Sequence, residues 1–375
     1  MINTENLKFE NVYMDGWGLL KNIHNLSMQN ISSSGYLWFV LKNSTNIQLN
    51  HWNGIINPDL YNIENLSISN MNIINGDNIN LNNVKNATLT SVKSVGLNIY
   101  NSENVHISSL EINRSWDWSA NLGVVGSTNM SIENVDVSAI SIDFICTSQL
   151  RVSNSTFDGD ISFKGINRAN IENVSINGDM EITNAENLQF VNARLQYSTS
   201  DYQPAIKLTR ISNASLYNIN ISGPYKFGIY MNNTHSILIT HTLISINYIE
   251  KTIGRYGEIY RHYASIGIYL ENSDYITVKN TSFGNIQKVG IIILSSFHIS
   301  ILHNKFGLEI RNPIEVKGYS TYILLHHNIR GVRSHHIGLD ITIVILLILI
   351  LLILGLKRNT PRFLRRYPYN MKRIR

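Results

Sequence analysis

The sequence predicts an all-β solenoid, a coil of short parallel strands about fifteen rungs long, followed by one C-terminal transmembrane α-helix. Three observations predict it. The first is a recurring step of apolar residue, polar residue, then Asn, as in "FEN" ending at Asn11, "MQN" at Asn30, "ISN" at Asn70, "IEN" at Asn134 and again at Asn173, and "VKN" at Asn280. Ser or His takes the Asn place at His51, Ser91, Ser109, His241, His303 and His327. Fifteen such positions align, most of them 18 to 26 residues apart, which is the signature of a stacked repeat. The second observation is a parallel column five residues earlier, running Asn6, Asn25, Asn46, Asn65, Asn86, Asn104 and Asn129, then Gln149, Arg168, Asn187, Asn213, Ser236, Tyr275, His298 and Tyr322. The third is an apolar run near the C-terminus.

Between the two columns apolar residues alternate, as with Leu7 and Phe9, Leu66 and Ile68, or Ile299 and Ile301. Period-two alternation over a few residues means a strand with one buried face. A second short strand precedes most of them, as in "GLNIYN", "GDISFK", "GDMEIT" and "IGIYLEN". Two or three strands per repeat, with no helical pattern in any unit, give a coil of parallel strands in which each rung stacks on the last. Asn suits the corners because it tolerates a left-handed backbone. Its amide also donates and accepts, so identical side chains on successive rungs can bond into a ladder along the axis. The repeated Asn is therefore read as corner hardware and not as a functional signal.

Composition agrees. The 375 residues include 50 Asn but only 6 Pro and 15% charged residues, which suits one long repeat domain better than a set of charged globular ones. The single cysteine, Cys146 in "SIDFICTS", excludes an internal disulfide framework and is expected to be a buried small apolar residue. The net charge of +5 is local. Eight Lys and Arg lie in residues 357–375, which leaves −3 on everything before them and no basic face for nucleic acid.

At the level of the repeat, "GIYLENSDYITVKNTSFGNI" (267–286) resembles the right-handed, single-stranded parallel β-helix superfamily, with its polysaccharide lyases, pectinase-type glycoside hydrolases and NosD-like proteins of copper-site maturation. The resemblance covers roughly residues 1 to 330. It implies the fold and leaves the chemistry open, because the repeated residues are those that build the coil.

The segment "ITIVILLILILLILGL" (341–356) is sixteen residues without a charge, and with "IGLD" in front, whose Asp340 is the one charge, the segment is twenty residues long. That length as a helix spans the ~30 Å of a bilayer core. Lys and Arg follow the span and are sparse before it, which predicts a cytoplasmic C-terminus and an exterior body, a single-pass protein of the cell membrane. The expected organisation is a β-helix ectodomain over 1–332, a link and membrane helix over 333–356 with the bilayer contacted through 337–356, and a basic tail over 357–375. The opening "MINTENLKFENV" has neither the basic start nor the apolar stretch of a signal peptide. The low charge and Ile-rich core suit an archaeal cell surface.

Function is sought where the repeat is interrupted. Three steps are long, and each extra length follows the Asn corner and precedes the next strand, so all three insertions should leave the coil on one side. They read "EINRSWDWSANLG", "RLQYSTSDYQPA" and "NYIEKTIGRYGEIYRHYASIG". Aromatic rings beside charged groups in them (Trp116, Asp117 and Trp118; Tyr202; Tyr256, Tyr260, Arg261 and Tyr263) suit sugar rings, which have an apolar face and a hydroxyl rim, although the same rings could fold the loops onto the coil. Asp160 and Asp179 follow Gly in "DGD" and "NGD" nineteen residues apart and should stack on adjacent rungs, with Glu181 nearby. Carboxylates about 5 Å apart serve retaining glycosidases, and Gly-Asp is also ordinary turn chemistry. His303 and His327 are stacked candidates for a soft metal, with His298 a third, or simply corner residues in place of Asn. No metal or other cofactor is required by the pattern. Of the N-x-S/T sequons, Asn113 and Asn232 are the better glycosylation candidates, being near loops. The expected role is structural or adhesive, binding glycan or neighbouring surface proteins. A polysaccharide lyase or hydrolase is the alternative, and a metal-handling accessory protein is third.

Overall fold

The computed structural model describes residues 4–74, 78–113, 120–196, 203–247, 249–253, 259–263 and 265–330. The chain divides into two units, Met1–Gly331 and Val332–Arg375. The first is a parallel β-helix of about fourteen turns. Fifteen corner positions align in the sequence, and fifteen rungs enclose fourteen complete turns because the first, Thr4–Tyr13, has no described strand before it.

Each turn contributes to three parallel sheets. In the middle of the coil, Ser141–Ile145 lies in sheet A, and Ser148–Asp158 then passes through sheet B into sheet C. The next turn repeats this with Ile161–Lys164 and Asn167–Asn177. Registers are in step along the axis: Ile142 faces Ile161, which faces Met180, which faces Ile206. Every second residue points inward, so the core is a set of columns in which like residues stack. Phe144 lies on Phe163 with ring centroids 4.9 Å apart, and Phe283 on Phe306 at 4.8 Å, the spacing of the strands themselves.

The corners explain the Asn columns. All thirty residues of the two columns read from the sequence have positive φ, as at Asn6 (58°), Asn30 (54°), Asn173 (54°), Tyr275 (54°) and His327 (48°). A third column, not recognised in the sequence, lies at the end of sheet A: Asn22, Asn43, Asn62, Asn83 and Asn101 begin it, with φ from 49° to 54°. Cys146 belongs to this column, with φ 50° and an exposed side chain. The expectation that it is buried is therefore wrong. "FIC" resembles a core strand, but Cys146 is the residue after the strand, where the chain turns.

The predicted ladders are present. Asn25, Asn46, Asn65, Asn86, Asn104 and Asn129 each donate their side-chain amide to the Asn one rung before, starting from Asn6, at 2.6–3.1 Å. Asn173 donates to Asn154 at 3.1 Å and accepts from Asn192 at 3.0 Å. Towards the C-terminal rungs rings replace amides, and His298 stacks between Tyr275 and Tyr322 at 4.5 and 4.9 Å.

A second, buried ladder follows the third column. The residue after the corner is Ser or Thr at Ser102, Ser127, Thr147, Thr234, Ser273 and Ser296, all 0–2% exposed. Ser273 shows why: its Oγ accepts the Thr234 amide at 3.3 Å and donates to the Glu271 carbonyl at 2.8 Å, while its own amide donates to Ser296 Oγ at 3.1 Å. The corner leaves these backbone groups without strand partners, and a hydroxyl satisfies them inside the coil.

Two predictions separate the ladders. Asn173→Leu must hold a branched apolar residue at φ 54° and should destabilise by about 1–2 kcal/mol, whereas Asn173→Gly, which loses the amides but keeps the backbone, should cost less than half as much. Equal losses in thermal melts would place the cost in the amides instead. Ser273→Ala strands a buried amide and should cost about 1–3 kcal/mol despite its small size; a melt like that of the unaltered protein would refute the role of the inner ladder.

Candidate functional site

The three insertions leave the coil at one corner. Ile112, Leu195 and Ile244, core residues of the strands from which the insertions depart, belong to one inward column of sheet C, linked by the register through Val137, Phe157, Ile176 and Ile221. Each insertion therefore enters sheet A from the same side, as expected. The first leaves four rungs before the second, and the second two rungs before the third. Trp116, Asp117, Trp118, Tyr202 and Tyr256 lie outside the described residues. In the third insertion Ile249–Ile253 and Ile259–Tyr263 pair as an antiparallel hairpin, an element not foreseen in the sequence, in which Tyr260, Arg261 and Tyr263 lie opposite Thr252, Lys251 and Ile249.

Sheet A beside these corners carries a groove of about 420 Å³ that gathers Asp143, Asp160, Asp179, Glu181 and Lys207, with Gln203 and Pro204 from the end of the second insertion on its edge. Its origin is local. Gly159 and Gly178 pass so close that a Cβ on Gly178 would lie 2.5 Å from the Gly159 carbonyl oxygen, so only glycine allows these two corners to nest. The aspartates that follow them are stacked as expected, and Asp160 Oδ1 accepts the Asp179 amide at 2.9 Å. Beneath this turn Tyr225, wholly buried, donates its hydroxyl to the Gly178 carbonyl at 3.0 Å. Burial, and then the charges of Asp179 and Asp160, push the Tyr225 phenol well above its ordinary pKa, so it stays a donor.

Asp143 and Glu181 arrive by a different route. Asp143, Ser162, Glu181 and Lys207 are register partners on four successive strands and all point outward. Ser141 donates to Asp143, and Lys207 Nζ lies 3.0 Å from Glu181 Oε1. Both ends of that ion pair are about 40% exposed, so its contribution to stability is small and its value lies in placing charge. The groove thus carries four carboxylates and one ammonium. Asp160 has a structural partner in the turn, Glu181 has one in the ion pair, and Asp143 has one in Ser141.

Beyond Lys207 the outward column becomes aromatic. Tyr230 and Tyr269 stack at 5.4 Å, and Tyr230 donates to Glu271 Oε2 at 2.7 Å. Burial and that carboxylate raise the Tyr230 pKa to about 12. Ile266, Val289 and Ile292 form an apolar cluster here, separate from the main core, with Phe227 and Tyr269 packed on it.

The remaining candidates do not converge. His303 stacks on His327 at 5.1 Å, and His326 packs against both. His298 belongs to the other corner column, 3.1 Å from Asp274. Among the described residues no group of three or more His, Cys, Asp or Glu could hold a metal ion. Asn113 is exposed and donates to Glu111 at 2.6 Å; Asn232 is half-buried, and Thr234 of its sequon is buried against Ser273. Among the described residues no helix is long and apolar enough to cross a membrane, and 341–356 lie outside them.

Asp143 and Lys207 were not expected from the sequence, because neither lies in an insertion, a Gly-Asp turn or the His columns. Aligning "SIDFI", "DISFK" and "DMEIT" rung on rung would have placed Asp143, Ser162 and Glu181 in one outward column.

No family model and no curated protein matches the chain. Solved structures that it resembles include the exopolygalacturonase of Thermotoga maritima (12% identity, TM-score 0.32, covering 79% of this chain and 84% of that one). Others are the tailspike of Escherichia coli bacteriophage HK620 in complex with a hexasaccharide (8%, 0.34, 82% and 68%) and a mannuronan C-5 epimerase A-module of Azotobacter vinelandii (12%, 0.33, 88% and 90%). The fold itself stands on the parallel registers described above, which make the protein a parallel β-solenoid.

Proposed function

We propose that this protein is a membrane-anchored surface β-helix that binds a glycan chain along the outer face of sheet A. The observation that supports it most is the open groove at the foot of the second insertion, where carboxylates, an ammonium group and an adjoining pair of stacked tyrosines share one face. Sugar recognition uses this combination, with hydrogen-bonding charges for the hydroxyl rim and flat rings for the apolar face. Four carboxylates against one Lys would repel an anionic chain, which favours a neutral glycan. The anchor is inferred from the apolar run 341–356 and the basic tail alone.

The second reading, a hydrolase or lyase, is favoured by one specific observation: Asp160 and Asp179 stand on adjacent rungs, about 5 Å apart by strand spacing, with Glu181 and Lys207 beside them. A glycan array probed with the full chain, followed by mass spectrometry of the retained polysaccharide, separates the readings. Binding without new chain ends supports a binding protein; shortened or unsaturated products would make the acidic groove a catalytic one.

Replacing one member of the Glu181–Lys207 pair leaves the other without its ion-pair partner and changes the charge that the groove presents. Glu181→Gln and Lys207→Met should each weaken glycan binding roughly tenfold or more, with thermal stability within about 1 kcal/mol of the unaltered protein. Unchanged affinity in both, by calorimetric titration, would remove the groove from the binding site.

A further inference from the structure

The outward column that holds Asp143, Glu181 and Lys207 continues in the other direction, and at its far end stand two exposed tryptophans. Of the five in the chain, Trp52 is in the core, and Trp116 and Trp118 lie outside the described residues. Trp17 and Trp38 are register partners on adjacent strands of sheet A, 63% and 42% exposed. Large rings left in water at this density call for an explanation.

Trp38 is not loose. Its indole Nε1 donates to Asp59 Oδ2 at 2.7 Å, and Asn80 donates to the other oxygen of the same carboxylate at 2.7 Å. Asn98 donates to Asn80 in turn at 3.0 Å. Asp59 is 7% exposed, a carboxylate taken almost wholly out of water and bonded on both oxygens, one of them to the edge of an exposed ring. Burying a charge is costly unless its partners are held in place, so Asp59 fixes the ring's orientation. On the rim, Asp15 accepts from the Tyr13 hydroxyl, the Ser33 hydroxyl and the Gly35 amide at 2.5–2.8 Å, which ties together the two backbone corners that lead into the platform strands.

The rail leads to the groove. Asn98 faces Gly123, and Gly123 faces Asp143. A Cβ on Gly123 would lie 3.0 Å from Asn98 Oδ1, and its absence keeps the face low between platform and groove. Trp38 stands five rungs from Asp143, about 24 Å at ~4.8 Å per rung.

We propose that Trp17 and Trp38 form a second carbohydrate-binding platform, on which sugar rings of the same neutral chain stack after crossing the Asp59, Asn80 and Asn98 rail. The proposal rests on the glycan-binding reading for its ligand class and adds a preference for long chains. A protein partner would find here two rings set among fixed polar groups, whereas a pyranose chain presents an apolar face to the rings and hydroxyls to the amide and carboxylate rail.

The test compares a neutral polymer, a mannan or a β-glucan, with its own tetrasaccharide on the full chain in detergent. The Trp17→Ala/Trp38→Ala double variant should lose roughly tenfold in affinity for the polymer and keep its affinity for the tetrasaccharide. Trp38→Phe, which keeps a ring but gives up the bond to Asp59, should fall between the native chain and the double variant, and a single cooperative melt for each variant confirms that it folds. Polymer binding unchanged in the double variant, with Glu181→Gln weakened, overturns the platform alone. Loss in the double variant with Glu181→Gln unaffected supports the platform and overturns the groove. Failure of the native chain to bind any neutral polymer overturns both.

Discussion

The structure depends on one backbone constraint: at two corners of every turn a residue must adopt the left-handed conformation. For most side chains that conformation costs on the order of 1 kcal/mol, and Asn is the residue other than Gly that meets it most cheaply. Summed over more than forty such residues, the choice of Asn at most of them decides whether the coil closes at all. Much else follows from it. The two locked corners are two residues long in nearly every turn, so the strands stay in register. Register in turn stacks Phe on Phe in the core and amide on amide at the surface.

The third corner, between sheets C and A, carries no such column. It is two residues in the turns that contain Asp160 and Asp179, three before Phe227, and much longer at the insertions. Length can vary there without disturbing either ladder, so the same freedom that admits the insertions also brings polar residues next to the outer face of sheet A. The groove lies beside the unconstrained corner because that is the one place where the coil tolerates a new backbone path.

How much of this the sequence revealed follows the same division. Positions under the backbone constraint were legible, because Asn at fixed spacing has one dominant physical cause, and all thirty residues of the two columns take the predicted conformation. The third column was missed since Gly126, Cys146, Gly165 and Arg210 interrupt its Asn run, and Gly satisfies the same constraint without leaving the same letter. The buried hydroxyl ladder was equally hidden, for Ser after Asn looks like a polar corner until the coil closes over it. Chemistry was legible only where it was local. Asp160 and Asp179 could be paired from the Gly-Asp turns, but Asp143, Lys207, Trp17 and Trp38 gain meaning only from rungs that lie next to them in space.

A solenoid also sets the character of any site it carries. Each rung contacts only its neighbours, so residues spaced along one face are held at multiples of the strand separation and cannot close around a ligand as a pocket does. Such a face suits an extended ligand with its own axial repeat, and its affinity comes from the number of rungs engaged more than from any one contact. The acidic groove, the stacked tyrosines beyond it and the bonded rail before it are then read together, as separate lengths of one track. A small molecule would occupy one of them and leave the rest idle, whereas a chain lying along the axis meets them in order.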